Sequence, residues 1–179
     1  MKRTTINLVY CALFASLTAI CSQIAIPLPA DIPLNLATLA VMLAGAFLGP
    51  WYGLASQGVY LLLGAVGVPV FAMFRGGLDR LVGPTGGYLI GYLFMALTVG
   101  LITARFPKSM IAHILAMLAS SAVCYLFGTA WYLVLTQSSP IAALAACVLP
   151  FLPGDLVKIV LGSLLAVKLR PVLRLQRAF

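Results

Sequence analysis

"LVGPTGGYLIGYL", residues 81–93, sets four glycines and a proline at the start of an otherwise apolar run of membrane length. Glycine weakens a helix and proline removes a backbone donor, so a plain lipid anchor gains nothing from either. The pattern is not a phosphate-binding P-loop, because the Lys-Ser/Thr ending and a hydrophilic lead-in are missing. Gly83, Gly86 and Gly87 permit a tight turn and a close approach by backbone or ligand. Thr85 is placed either to cap the following helix or to donate to a ligand, and Tyr88 offers an amphipathic face. On these residues alone, helix packing and ligand contact are evenly matched.

The surrounding composition names the solvent. Of 179 residues, 63% are hydrophobic and 8% charged, where a soluble domain carries about 25% charged residues. The chain therefore reads as an integral membrane protein. Its net charge of +8 would suit nucleic acid if it formed a patch. Instead Lys2 and Arg3 lie at the start, Arg105 and Lys108 in one connection, and Lys168, Arg170, Arg174 and Arg177 in the tail. That placement is the positive-inside pattern, and nucleic acid is excluded as a partner.

A span takes about 20 apolar residues. Breaks at Pro27–Pro33, Gly49-Pro50, Gly67–Pro84, Arg105–Lys108 and Thr136–Pro140 leave six segments, near 5–26, 34–49, 51–66, 85–104, 109–135 and 141–169. The expectation is an all-α bundle of six transmembrane helices in a single domain, 1–179, with both termini cytoplasmic. Eight of the eleven Lys and Arg then fall on the cytoplasmic side. Residues 1–26 read as the first helix rather than a cleaved signal, since their apolar run is too long and removal would reverse the parity. No internal repeat is evident, which counts against inverted-repeat transporters.

Catalytic and metal chemistry has little to work with. There are three Asp, no Glu and one His, His113, which reads as an interfacial or packed residue. Cys11, Cys21, Cys124 and Cys147 show no C-x-x-C spacing and sit in apolar runs, so they read as packing residues. No catalytic residue, metal site or cofactor is expected. An integral-membrane enzyme using Asp79, Asp155 or His113 is the weakest alternative.

The costly residues are Asp155 and Lys158 in "PGDLVKIVLG". Spaced i, i+3, they share a helix face, and Pro153 suits a helix restart whose positive end supports the carboxylate. Ionisable groups inside a membrane point to function by default, against the alternative of a self-satisfied pair. The third connection, residues 64–87, is long, Gly-rich and partly apolar, which suits a packed lid or re-entrant segment. On the first helix Cys11, Ala15 and Ala19 form a small-residue stripe, for packing within the chain or against a partner. Trp51, Trp131 and Tyr132 fit aromatic belts.

Four stretches in order carry a family resemblance: "QIAIPLP" (23–29), "LAGAFLGPWYGLASQGVYLLLGAVGVPVFA" (43–72), "GGLDRLVGPTGGYLIGY" (76–92) and "PGDLVK" (153–158). Together they resemble the BioY family, the biotin-specific substrate-binding (S) components of energy-coupling-factor (ECF) transporters. The resemblance implies an S-component-like bundle in the bacterial cytoplasmic membrane that captures biotin from outside. It also implies a transmembrane coupling subunit and two ATPase subunits as partners, because this chain has no nucleotide-binding signature. The stripe Cys11–Ala15–Ala19 resembles the Ala-x-x-x-Ala docking surface for the coupling subunit. Asp155 and Lys158 carry over as ligand contacts, Asp155 accepting from ureido N–H and Lys158 meeting the ureido carbonyl or the carboxylate; Thr85 and Tyr88 carry over beside them, and Phe71 and Tyr88 enclose the ring. Arg75 is a candidate partner for the ligand's carboxylate. Where relatives commonly read Thr-Leu-Gln-Thr, this chain has Asn35-Leu36-Ala37-Thr38, leaving Asn35 to compensate for the amide. On this reading the glycines of 81–93 shape the wall and entrance of a ligand cavity. The rival within transport is an S component for another small vitamin.

Overall fold

The structure, a computed structural model, describes residues 3–28 and 32–169. Lys2, Arg170, Arg174 and Arg177, used above for orientation, and Pro29 of the first matching stretch lie outside the described residues. Helices run over α1 (Arg3–Gln23), α2 (Ala37–Ala65), α3 (Leu78–Val82), α4 (Gly86–Arg105), α5 (Met110–Thr136), α6 (Pro140–Cys147) and α7 (Leu152–Leu169). Among the described residues four helices are long and apolar enough to cross a membrane, or five if α6 and α7 count as one bent span. The outward faces carry Leu8, Leu13, Ile20, Leu62, Leu126 and Val160, as lipid contact requires. The protein is a multi-pass membrane protein.

The break expected at Gly49-Pro50 lies inside α2. Gly49 takes φ 78°, a left-handed value open to glycine, and Pro50 follows without a helical donor. The chain reverses there. In an unbroken helix Gly45 and Gly53 would stand about 12 Å apart along the axis, yet a methyl placed on Gly53 would sit 3.1 Å from Gly45 Cα. α4 packs along both limbs. Its Ala96 carbonyl would lie 2.4 Å from a Cβ on Gly45, and Gly100 faces Pro50 as closely. Absent side chains let these backbones meet, the usual means of tight association where lipid offers no hydrophobic drive.

The last segment also breaks. α6 starts with Pro140 in its first turn and the Ser139 hydroxyl accepting from Ala142 N–H, and it ends at Cys147. α7 departs at 50° after a turn at Val148–Phe151. Pro153 lies in the first turn of α7, where its missing N–H costs nothing.

Two features depart from an all-helical expectation. Ala25–Ile26 (β1) pairs antiparallel with Leu34–Asn35 (β2), closing the neck of the Pro27–Pro33 connection. Prolines there interrupt any helix, and the backbone groups on either side satisfy one another instead. In the third connection a 3₁₀ turn at Ala72–Phe74 and the short α3 replace open loop. Gly77 N–H to Gly64 O at 2.7 Å anchors this segment to the end of α2.

Candidate ligand-binding site

The α6–α7 break places Asp155 in the first turn of α7, where the exposed N–H groups of a helix start favour negative charge. One turn on, Lys158 Nζ lies 2.7 Å from Asp155 Oδ1. Both residues are only 5% exposed. The Tyr125 hydroxyl, from α5, donates to Asp155 Oδ2, and Lys158 also donates to Thr38 Oγ1 at 3.1 Å in the first turn of α2. Four side chains from three helices thus form one buried polar network. Asparagine 35 stands at its edge, where Asn35 Oδ1 accepts from Ala37 N–H at 3.0 Å and supports the start of α2.

This network forms part of the wall of a cavity with about 900 Å³ of empty space, its open mouth included. Pro27, Leu28, Ile32 and Pro33 of the first connection contribute one side, and Phe71–Met73 and Arg75 of the third contribute another. Thr85, just before α4, and Tyr88, Leu89, Tyr92 and Met95 of α4 add a further side, while α5 adds Ser121, Cys124 and Tyr125. Aromatic side chains brace the wall. Tyr88 stacks on Phe151 with centroids 6.1 Å apart, and its hydroxyl donates to Cys147 O at 2.6 Å. Tyr60 stacks on Tyr92 at 6.4 Å and meets Phe71 edge-on at 5.6 Å. The cavity is apolar around its middle, ionic at the α7 side and basic at Arg75 and Arg80.

A family model described as the BioY family matches residues 1–175. The chain belongs to the BioY family. A biotin transporter BioY of Rhodobacter capsulatus is 40% identical over 172 residues, covering 89% of this chain and 90% of that protein. One from Thermotoga maritima is 34% identical over 164 residues, covering 92% and 95%. Among solved structures, the crystal structure of the S-component for biotin from an ECF-type ABC transporter superposes with a TM-score of 0.87. It is 26% identical, with 98% of this chain and 99% of that chain covered.

Within this BioY fold the structure gathers Asp155, Lys158, Thr85, Tyr88, Arg75, Phe71 and Asn35 around one cavity. Thr85 makes no side-chain cap for α4, and its hydroxyl donates to Arg80 O at 3.1 Å. The glycines of 81–93 act on the cavity wall through helix packing rather than by contact. None lines the cavity. A Cβ on Gly86 would strike Leu81 O, and one on Gly87 would lie 2.4 Å from Trp131 Cβ and 2.5 Å from Phe127 O. Trp131 then donates Nε1–H to Gly83 O at 3.0 Å. The glycines bring α4 against α5 and α3, and only through that packing do Tyr88 and Tyr92 reach the cavity. Trp131 accordingly has a packing role beyond an aromatic belt.

The docking stripe is a correction. Cys11 and Ala15 are 4% and 2% exposed, and Cys11 Sγ donates to Tyr52 O at 3.3 Å. With Ala19 half-buried, the stripe seats α2 and leaves Ala12 and Ser16 as the small residues facing outward. A run of small residues in sequence does not reveal which neighbour it serves.

Sequence reasoning missed Tyr125, Thr38, Ser121 and Arg80. A phenol deep in a 27-residue apolar helix calls for some hydroxyl partner, but nothing in the sequence around Tyr125 points to Asp155. Ser121 is buried beside the cavity, and its hydroxyl has no hydrogen-bond partner among the described residues.

Proposed function

We propose that this protein captures biotin at the membrane and serves as the substrate-binding component of an ECF-type transporter. The observation that carries this is the Lys158–Asp155 pair set in the cavity wall of a BioY fold. The pair has capacity to spare. A carboxylate offers about four acceptor sites and an ammonium three donors. Asp155 uses one site for Lys158 and one for Tyr125, and Lys158 uses two donors, on Asp155 and Thr38. Two acceptor sites and one donor remain, matching the two N–H groups and one carbonyl of a ureido ring. Tyr88, Phe151 and Phe71 enclose the apolar ring, and Arg75 and Arg80 supply cationic partners for the valerate carboxylate.

On this reading the chain is a transport subunit rather than an enzyme, with biotin as cargo and no cofactor. It works with a transmembrane coupling subunit and two ATPase subunits, which provide the energy. Counting the two limbs of α2 separately and α6–α7 together gives six membrane limbs in a single domain, 1–179. Both termini then lie on the cytoplasmic side of a bacterial cytoplasmic membrane, and the cavity opens outward.

The deciding experiment titrates the purified full chain with biotin by calorimetry and with a panel of other small vitamins. Saturable one-to-one binding of biotin supports the proposal. Silence toward biotin with heat from another vitamin would transfer the assignment to that ligand.

A further inference from the structure

The segment from Val70 to Arg75 forms a strap along the cavity, and α1 ends against its backbone. Ser22 Oγ lies 2.6 Å from Val70 O. Gln23 Nε2 lies 3.2 Å from both Val70 O and Phe71 O, while its Oε1 accepts from Phe74 N–H at 2.8 Å. One side-chain amide therefore holds the strap by its donor and its acceptor ends. A partner was already at hand within its own helix, at Ala19 O 3.1 Å away, so reaching across about fifty residues of sequence is not needed to satisfy the amide.

The strap depends on such a hold. Met73 and Phe74 take φ 61° and 55°, left-handed values uncommon for side chains of this size. Conformations of that kind persist only where the surroundings over-determine them. Phe71 N–H to Arg75 O at 2.8 Å closes the turn from within; from outside, Ser22 holds Val70 O, and Gln23 reaches further along to Phe71 O and Phe74 N–H. The same few residues give Phe71, Met73 and Arg75 to the cavity wall, whereas Gln23 itself does not line it.

We propose that Gln23 is a positioning residue for ligand retention: it latches the strap to the end of α1, and a bound ligand leaves when the latch opens. The proposal rests on the biotin-binding reading above. A ligand behind the strap is then held by its own contacts and by the barrier of breaking the amide's cross-chain bonds together.

The test uses the full chain in detergent, with Gln23→Met, which keeps length and loses every polar contact, and Gln23→Glu, which keeps the acceptor for Phe74 N–H and loses the donors. Biotin dissociation is followed after chasing labelled ligand, alongside binding stoichiometry. Gln23→Met is expected to release biotin about tenfold faster or more with unchanged stoichiometry, and Gln23→Glu to fall between it and wild type. A merely structural role would lower the fraction of competent protein without altering the release rate of the remainder. A second arm needs no ligand: amide exchange across residues 70–75 is expected to quicken about tenfold in both variants, with α4 and α5 unchanged. Release rates within about twofold of wild type, unchanged exchange in the strap, or failure of both variants to fold would each overturn the latch. Absence of biotin binding by the wild type would instead remove the functional reading, leaving the exchange arm to decide the latch alone.

Discussion

Lys158 Nζ and Thr38 Oγ1 meet at 3.1 Å across 120 residues of sequence, tying α7 to the first turn of α2 beside the cavity. On the proposed reading, the contact orients the ammonium so that its third donor meets the ligand. Thr38→Val keeps the branched shape and deletes the hydroxyl. Biotin affinity is expected to fall about three- to tenfold, the worth of one modest hydrogen bond, with little change in thermal stability. Calorimetric titration reads this directly.

The ion pair itself yields a double-mutant prediction. Asp155→Asn strands a buried ammonium and Lys158→Met strands a buried carboxylate, each at a cost of about 3–5 kcal/mol. Combining them leaves no orphaned charge, so the double variant is expected to melt above either single one. All three are expected to lose biotin binding by more than about a hundredfold, since ureido partners vanish in each. Thermal unfolding in detergent and biotin titration together check the cycle. A double variant less stable than both singles would show that the pair is not buried as a unit.

The Tyr125 hydroxyl holds the second oxygen of Asp155, and neither its neighbours in sequence nor its spacing announce that role. Tyr125→Phe keeps the ring and removes a donor to a carboxylate, a bond worth about 1.5–3 kcal/mol. The expected result is a tenfold to hundredfold loss of affinity, about what that energy converts to. The helix should remain folded, as shown by an unchanged far-ultraviolet spectrum.

How far the sequence revealed this site depends on the range of the signal. Asp155 and Lys158 stand out because charge in an apolar run is expensive wherever it lies, and the i, i+3 spacing fixes their relation locally. The turn at Gly49-Pro50 is legible for the same reason: backbone chemistry acts on its own neighbourhood. That α2 folds back there rather than merely kinking appears only in the contact of Gly45 with Gly53. The glycines at 83–87 signal a need for space, yet nothing local says whether a ligand or Trp131 fills it. The Cys11 stripe failed likewise, because small residues mark close approach without naming the partner. Thr38, Tyr125 and Ser121 carry ordinary polar atoms, and only tertiary placement gives them a task.

Ser121 supplies a prediction of its own. Thr18, Thr98 and Thr103 return their hydroxyls to the carbonyl four residues back, whereas Ser121 Oγ is buried by the cavity without a partner among the described residues. A ligand group that accepts this hydrogen would satisfy it on binding. Ser121→Ala is expected to weaken biotin about three- to tenfold while leaving the empty protein as stable as wild type or more so. Equal affinity for wild type and variant would show that the hydroxyl faces away from the cargo.

Two glycine substitutions separate packing from ligand contact. Gly87→Ala forces a methyl to within 2.4 Å of Trp131 Cβ and 2.5 Å of Phe127 O, so α4 and α5 must part. Overpacking of this kind costs about 1–3 kcal/mol and is expected to lower the melting temperature of the ligand-free protein. Because Gly87 lies outside the cavity wall, the protein that remains folded should bind biotin in normal stoichiometry, with any loss of affinity arising through displaced Tyr88. Gly58→Ala is the control. A Cβ there meets nothing within 4 Å, and the residue sits inside the second limb of α2. Alanine favours a helix over glycine by about 1 kcal/mol, so this variant is expected to melt at or above the wild-type temperature. If Gly87→Ala were harmless, α4 and α5 would not be in the close contact that positions Tyr88 and Tyr92 at the cavity.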